Sequence, residues 1–349
     1  MPDDIRFLEI LACPVCKGPL VWREAETRLL CRPCQLSYQS DQDIHRLLPP
    51  GWLVGRPDMA LSLHKWDAFY RQKSPDDFER EAAAYRDHVP YILNTGFPIE
   101  RYLASPSRPV YLEIGSGPGF LALELAKRGY LAVCIDVSLE ALKLARDHFA
   151  RKRLAGVFIQ GDITQLPLQN DVIALAYGGG VIEHFSNTQD VVNELHRVAS
   201  TGGTVFNTVP ALSLFSLTYA QRWGNIPDLP VLRQLFYWFH KHALGGRHMR
   251  YGYELAFTPS KMRAIFRRAG FNEIQIGLFH FGQDAWNIRQ SDVATKFHGV
   301  KRWLAHCAVI AYNCYRHVYT ARPFWNVMYV MCVKGANLFW RDATAPGDG

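Results

Sequence analysis

Tyr111-Leu112-Glu113-Ile114-Gly115-Ser116-Gly117-Pro118-Gly119-Phe120 is the stretch on which the fold turns. The apolar run Pro109 to Ile114 predicts a strand and Leu121 to Arg128 a helix, with three glycines in the turn between them. Gly115 permits a tight turn off the strand. Gly117 lets a ligand approach the backbone where a Cβ would stand, and Gly119 lets the helix start pack closely on the sheet. The loop N–H groups and the helix N-terminus are then expected to face a partly anionic ligand. Glu113, at the strand end, can accept a hydrogen bond from a cationic or amine group. A dinucleotide loop asks for Gly-x-Gly-x-x-Gly, and Phe120 stands where its third glycine belongs. A glycine-rich turn with no ligand is the plainer alternative, and the downstream sequence weighs against it.

Beyond the loop, strand and helix patterns alternate. Leu131 to Ile135 is a strand ending at Asp136, and Ser138 caps a helix running to Ala150. Val157 to Gln160 is a strand followed by Gly161-Asp162-Ile163, and Val172 to Ala176 is one ending at Tyr177-Gly178-Gly179-Gly180. A helix from Gln189 to Ala199 stops at Thr201-Gly202-Gly203, and Thr204 to Val209 is the next strand. Pro259 to Ala269 is an amphipathic helix stopped by Gly270. Phe271 to Phe279 and Asn326 to Lys334 are the last two strands, the final one antiparallel. Such alternation predicts a parallel sheet with helices on both faces and ligands beyond the carboxyl ends of its strands. Asp136, 17 residues after Gly119, and Asp162 both fall at strand ends. A lone aspartate there is usually a turn or helix cap; two in register with the glycine loop point to a site.

The acid-x-Gly-x-Gly-x-Gly pattern of Glu113 to Gly119 resembles the first motif of class I S-adenosylmethionine-dependent methyltransferases. Gly179-Gly180-Val181-Ile182-Glu183-His184-Phe185 is similar to the segment after the fourth strand in the members that act on small molecules. The resemblance covers roughly Trp66 to Lys334. It implies an α/β fold with a Rossmann-like, seven-stranded sheet and helices on both faces. It also implies a cofactor site made by Glu113, Gly115, Ser116, Gly117, Gly119, Asp136, Val137, Asp162, Ile163 and Tyr177. Within that site Asp136 would accept both ribose hydroxyls. Asp162 would accept from the adenine amino group, and the Ile163 N–H would meet a ring nitrogen. The Glu183-His184 pair would stand where the sulfonium methyl points. His184 is therefore the candidate catalytic base toward a hydroxyl or amine. The alternative is that it only shapes the pocket, because methyl transfer from a sulfonium needs mainly in-line positioning. Asn207-Thr208-Val209-Pro210 would border the acceptor. No Asn/Asp-Pro-Pro-Tyr/Phe follows the fourth strand, which disfavours methylation of the adenine amino group, and no cysteine stands there for the covalent route to 5-methylcytosine.

Near the start, Cys13-Pro14-Val15-Cys16 and Cys31-Arg32-Pro33-Cys34 form two Cys-x-x-Cys pairs separated by 14 residues. Leu20-Val21-Trp22 and Leu29-Leu30 are short strand candidates between them. Four thiolates in this spacing suit a closed tetrahedral zinc site, with Cys13, Cys16, Cys31 and Cys34 as ligands; four unligated thiols are the alternative. No position is left open for catalysis, so the zinc is expected to be structural and to supply most of the folding energy of so small a unit. His45 is either a substitute ligand or, as expected here, a surface histidine. The run Phe7 to Leu20, closing with Leu47-Leu48-Pro49, resembles the small zinc-ribbon proteins that activate methyltransferases of the translation machinery. In that family the ribbon is usually a separate subunit. The chain departs from it between Gln39 and His45. Cys134, Cys307, Cys314 and Cys332 read as buried small apolar residues.

Composition bounds the rest. The chain has 349 residues, 48% of them hydrophobic, and a net charge of +7, as expected of a soluble globular protein with anionic partners. Met1-Pro2-Asp3-Asp4-Ile5 opens no long apolar run, so the cytoplasm is the expected compartment and the thiols are expected to be reduced. The expected organisation is a zinc ribbon over residues 1–50, a linker with lid helices over 51–108, a methyltransferase domain over 109–340 and a flexible tail over 341–349. Pro49-Pro50-Gly51 and Gly55-Arg56-Pro57 punctuate the first boundary, and His64 to Asn94 has a helical pattern with Ser74 as a cap. Insertions at 211–257 and 280–322 hold five Lys/Arg against two Asp/Glu and six against two, which is the whole formal charge of the chain. Both are aromatic-rich. That composition suits a large amphipathic acceptor, lipid-linked or polycyclic with an anionic group, and also peripheral contact with an anionic membrane. An ordinary cap with solvated charges, or a surface stacking single-stranded RNA, would show the same composition. Leu304 to Tyr315 is too short and polar to span a bilayer. The favoured reading is an enzyme moving the methyl of S-adenosylmethionine to an O, N or C atom of a small-molecule or lipid-like acceptor. Methylation of RNA or a translation protein, guided by the ribbon, comes next. A non-catalytic S-adenosylmethionine-binding partner subunit is a reading of another class. The sequence does not set the oligomeric state.

Overall fold

The computed structural model describes residues 6–41, 43–73, 92, 98–103, 108–249, 252–279, 303 and 327–335. Its frame is one eleven-stranded sheet, in the order β1-β2-β3-β4-β7-β6-β5-β8-β9-β13-β12. Here β1 is Val21–Arg23, β2 Arg28–Cys31, β3 Leu36–Asp41 and β4 Ile44–Arg46; β5 is Val110–Ile114, β6 Leu131–Asp136, β7 Val157–Gln160, β8 Ile173–Gly179 and β9 Ala199–Pro210. A two-strand pair, β10 (Ile226–Pro227) with β11 (Leu255–Ala256), lies in the first insertion, and β12 (Glu273–Phe279) and β13 (Val327–Val333) close the sheet. The seven strands from β7 to β12 form the expected sheet. β7, β6, β5, β8 and β9 run parallel, and β13 is antiparallel to both of its neighbours. The parallel strands are apolar on both faces because helices cover both. Every residue of β6 is buried between the helices Phe120–Lys127 and Leu139–Arg151 on one side and the second core layer on the other.

Two boundaries differ from the sequence expectation. Thr201-Gly202-Gly203 does end the preceding helix at Val198, yet it stays in the sheet instead of looping out. The Gly202 N–H donates to Lys334 O at 2.8 Å and Lys334 N–H to Gly203 O at 3.0 Å, so β9 starts at Ala199. The entry helix spans Pro57–Arg71, starting with a proline in its first turn, earlier than the His64 expected from its apolar pattern. The helix expected from Ser74, the second insertion and the tail fall outside the described residues, apart from isolated positions.

The cysteine-bearing segment continues the sheet. β4 pairs in parallel with β7, with Ile44 opposite Phe158, His45 opposite Ile159 and Arg46 opposite Gln160. Ala12 N–H donates to Pro167 O at 2.9 Å, Gln169 N–H to Ile10 O at 2.8 Å and Leu47 N–H to Gln160 O at 2.8 Å. Leu11, Leu29 and Leu47 are fully buried in one core with Ile159, Leu166 and Leu168. The residues on either side of Pro49-Pro50 thus share a sheet and a core.

Candidate functional site

The four N-terminal cysteines converge. Their Sγ atoms lie within 4.8 Å of one another, with Cys16 and Cys31 at 3.5 Å. The residue after each pair, Lys17 (φ 60°) or Gln35 (φ 53°), is left-handed, so the two pairs turn alike. The Gly18 N–H donates to Cys16 Sγ at 3.4 Å. A tetrahedral site with metal–sulfur bonds of about 2.3 Å sets sulfurs about 3.8 Å apart, so this donor set fits zinc. His45 is neither a ligand nor a surface group. It is buried on β4, its Nδ1 pairs with Ser40 Oγ at 2.8 Å, and its ring stacks on Phe7 at 5.3 Å. Burial lowers its pKa to about 4. The apolar partner of that ring, 38 positions away, gives no local signal in the sequence.

At the carboxyl ends of β5 and β6 the glycine loop is tied to the chain itself. Gly115 (φ +54°) and Gly117 (φ +50°) take conformations that side chains avoid. A Cβ on Gly115 would lie 2.5 Å from Val181 Cγ2, and one on Gly117 would lie 2.7 Å from the Tyr70 hydroxyl. The Ser116 N–H donates to Ile135 O at 3.1 Å, Gly117 N–H to Asp136 Oδ2 at 2.9 Å and Gly119 N–H to Ser116 O at 2.9 Å. Glu113 Oε2 accepts from the Ala122 N–H at 2.6 Å and from the Tyr111 hydroxyl at 3.5 Å. The helix N-terminus is therefore capped by Glu113, and three loop N–H groups are satisfied internally. This corrects the expectation that they face an anionic ligand. The strand end is instead acidic and sealed. Burial pushes Glu113 up to about 8, against the pull of the Ala122 and Tyr111 bonds. It pushes Asp136 up to about 6, against the Ser138 and Gly117 N–H groups that the carboxylate accepts.

The remaining residues named by the sequence fall into two groups. Val137 follows Asp136, and its carbonyl accepts from Gln160 Nε2 at 3.1 Å. Asp162 is almost wholly buried, and its carboxylate is engaged. Oδ1 accepts from Thr164 N–H at 2.9 Å and Thr164 Oγ1 at 2.8 Å, and Oδ2 pairs with Arg56 Nη1. It caps the turn Ile163–Gln165, whose Ile163 side chain enters the core. Tyr177 stacks its ring on Phe206 at 5.8 Å, within a row that continues to Tyr329. Arg56 read in sequence only as linker punctuation. Its partner is 106 positions away, and nothing local to either residue announces the pair.

The Pro57–Arg71 helix lies over the loop. Asp67 Oδ1 accepts from Ser138 Oγ at 2.5 Å, Tyr70 stands against Gly117, and Trp66 meets the His184 ring edge-on at 6.5 Å. His184 Nδ1 lies 2.6 Å from the Tyr253 carbonyl. A carbonyl only accepts, so Nδ1 carries the proton and Nε2 keeps the lone pair. Beside it Glu183 is buried; desolvation, with Glu254 adding to it, raises its pKa well above the carboxylate range. Among the described residues Glu183 Oε2 has no hydrogen-bond partner. The same holds for both amide atoms of Asn207, which is fully buried on β9 against Gly178. A capped acidic strand end, an overlying aromatic helix and an imidazole with a free nitrogen can bind a cationic small molecule and position or deprotonate a nucleophile.

Residues 112–207 match the family described as a methyltransferase domain, and residues 4–39 match the Trm112p-like protein family. The chain is similar to the malonyl-[acyl-carrier protein] O-methyltransferase of Hamiltonella defensa subsp. Acyrthosiphon pisum (strain 5AT), 27% identical over 158 residues, 45% of this chain and 59% of that protein. For the same-named protein of Erwinia billingiae (strain Eb661) the figures are 28% over 180 residues, 51% and 69%. The chain thus spans only 59% of the length of the first of these relatives. Its N-terminal segment is 49% identical over 45 residues to a UPF0434 protein of Dechloromonas aromatica (strain RCB), covering 13% of this chain and 78% of that one. Among solved structures, Haemonchus contortus phosphoethanolamine N-methyltransferase 2 in complex with S-adenosyl-L-methionine overlays 68% of this chain and 51% of its own, at 16% identity and a TM-score of 0.42.

Proposed function

We propose that this chain, which carries a methyltransferase domain over residues 112–207 and belongs at its N-terminus to the Trm112p-like family, transfers the methyl group of S-adenosylmethionine to a small-molecule or lipid-like acceptor. The observation that carries the reading is the buried strand end, where Gly117 donates to Asp136 and stands against the Tyr70 hydroxyl, Glu113 takes the Ala122 N–H, and the helix that carries Tyr70 also meets His184 through Trp66. Glu113, Gly115, Ser116, Gly117, Gly119, Asp136 and Val137 would hold the cofactor, which supplies an electrophilic sulfonium methyl. The residues fit a cationic group: the local ionisable groups are carboxyls, and no basic side chain bonds to Glu113 or Asp136 among the described residues. Asp136, while it accepts from Gly117 and Ser138, keeps further lone pairs for a ribose diol. Asp162 acts chiefly as the anchor of Arg56 and Thr164, while Ile163 packs into the core and Tyr177 stacks on Phe206, so that any contact of these two with the cofactor would come from their backbone or ring edge. His184 positions the acceptor or takes its proton through Nε2, held in one tautomer by Tyr253. Cys13, Cys16, Cys31 and Cys34 hold a structural zinc, with no ligand position left for chemistry.

The names of the malonyl-carrier relatives make a carboxylate oxygen the first acceptor class to try. A carboxylate has no proton to lose, so in that case His184 would only position it. The test is incubation of the full chain with methyl-labelled S-adenosylmethionine and cell extract, followed by fractionation. Label in the lipid or small-molecule fraction is expected. Label confined to RNA, or to protein other than an acyl carrier, would replace this acceptor class, and cofactor binding without label in any fraction would mean a non-catalytic partner subunit.

A further inference from the structure

The first insertion carries an outward apolar stripe that the methyl-transfer site does not use. On the helix Pro230–Trp238, Val231, Leu235 and Trp238 are 78%, 56% and 58% exposed. Their spacing of four and three places them on one side of the helix. The stripe continues through a π-helical turn, Phe239–Ala243, to Phe239 and Leu244, which are 46% and 49% exposed. The opposite side of the helix is locked down. Arg233 donates from Nε to the Tyr253 hydroxyl at 2.8 Å and from Nη1 to Asp228 Oδ1 at 3.1 Å, and its Nη2 bonds Ser186 O. Tyr237 packs on Tyr253 at 5.3 Å. The stripe is thus held outward by a fixed inner face.

Among the described residues of this insertion, the exposed charges have one sign. Lys241 is half-buried at the border between the stripe and the inner face, with Nζ 2.5 Å from the Tyr237 hydroxyl, and His242 and Arg247 are exposed beside it. The two acids of residues 211–257 are turned away: Asp228 is 7% exposed and paired with Arg233, and Glu254 Oε1 accepts from Asn225 Nδ2 at 2.9 Å. An apolar stripe ending in tryptophan and bordered by cations matches the layering of a bilayer surface, with acyl chains beneath anionic headgroups. A second copy of the chain is a poor occupant, because a two-fold contact would set the same cations against one another.

We propose that the Pro230–Trp238 helix and the turn after it dock on an anionic membrane surface, with Val231, Leu235, Trp238 and Phe239 inserted and Lys241 and Arg247 at the headgroups. Tyr253 links this face to the site, since its hydroxyl receives Arg233 and its carbonyl receives His184. Docking would bring the methyl-transfer site to the lipid surface, but the proposal stands whether or not methyl transfer occurs. The test is co-sedimentation of the full chain with vesicles of phosphatidylcholine alone or mixed with phosphatidylglycerol. Wild type is expected to pellet with the mixed vesicles, less so at high salt. Leu235→Asp/Trp238→Asp, with an unchanged melting temperature, should weaken this by about tenfold or more. Val54→Asp, at an equally exposed apolar position elsewhere, should bind like wild type. Lys241→Glu/Arg247→Glu should abolish the preference for phosphatidylglycerol and serves if the first variant does not fold. Wild type remaining in the supernatant with both vesicles would overturn the proposal. So would undiminished binding by both double variants, or a dimer that the apolar variant splits and that binds neither vesicle.

Discussion

Glu113 holds a proton to about pH 8 because burial removes most of the water around its carboxyl, and the Ala122 N–H offsets only part of that cost. If its other oxygen receives the cofactor's ammonium group, binding must expel that proton. Affinity for S-adenosylmethionine is therefore expected to rise, by up to about tenfold per pH unit, as pH climbs toward about 8 and to level off above it. Titration calorimetry in buffers of different ionisation enthalpy would read the released proton directly. Glu113→Gln should bind more weakly with no pH dependence, and a flat profile in wild type would mean that the ammonium is held elsewhere. The same shift has a stability sign. Between the ordinary carboxylate value of 4.5 and about 8 the folded chain keeps a proton that the unfolded chain has lost, so this group makes the fold less stable as pH rises through that window. Asp136 does the same up to about 6. The identity of these acids was legible in the sequence, because a carboxylate directly before or after a strand-end turn is a local pattern. Their bonding was not: Glu113 caps the helix through Ala122, nine positions on, where a ligand contact was expected.

The Pro57–Arg71 helix is the element that turns a glycine loop into an enclosed site. Gly117→Ala would set a methyl 2.7 Å from the Tyr70 hydroxyl at a φ of +50°. Cofactor affinity is expected to fall by about tenfold to a hundredfold, corresponding to roughly 1–3 kcal/mol. Two costs combine there, backbone strain and collision with the helix, and adding Tyr70→Ala separates them. Recovery of most of the binding in the double variant, with a preserved circular dichroism spectrum, would place the cost in the collision; no recovery would place it in the loop alone. Strands β5 to β8 and the helices between them fall within a few residues of the sequence expectation, since each strand is a mainly apolar run and the helices carry apolar residues at helical spacing, with punctuation at their ends. The N-terminal start of the lid helix was missed because Pro57 and Asp58 open it directly after a proline-glycine segment that reads as linker. Its position over the loop depends on Asp67, Tyr70 and Trp66 meeting groups 47 to 118 positions away.

Across the molecule, β4 covers the edge of β7 that would otherwise expose unpaired N–H and C=O groups. The cysteine cluster gathers the turns beside β1 to β3, so removing the zinc proposed for it should loosen that cover. A strong chelator is expected to lower the melting temperature of the full chain by about 5–10 °C and to provoke light scattering as the sheet edge is exposed. An unchanged melting curve without scattering would show that the shared core, and not the metal, holds β4 in place. That the two units share a core was not readable from composition, because Pro49-Pro50-Gly51 is the signature of a boundary whether or not hydrogen bonds cross it. The connection has one more consequence. Ile44–Arg46 enters the sheet and Arg56 ties down the far end of the joining segment at Asp162, so the ribbon is a tethered ligand of its own catalytic sheet. Tethering of this kind gives an effective concentration on the order of millimolar. Dilution cannot strip the ribbon from the sheet it joins, other surfaces cannot titrate it away, and the stoichiometry is fixed at one to one from the moment of synthesis.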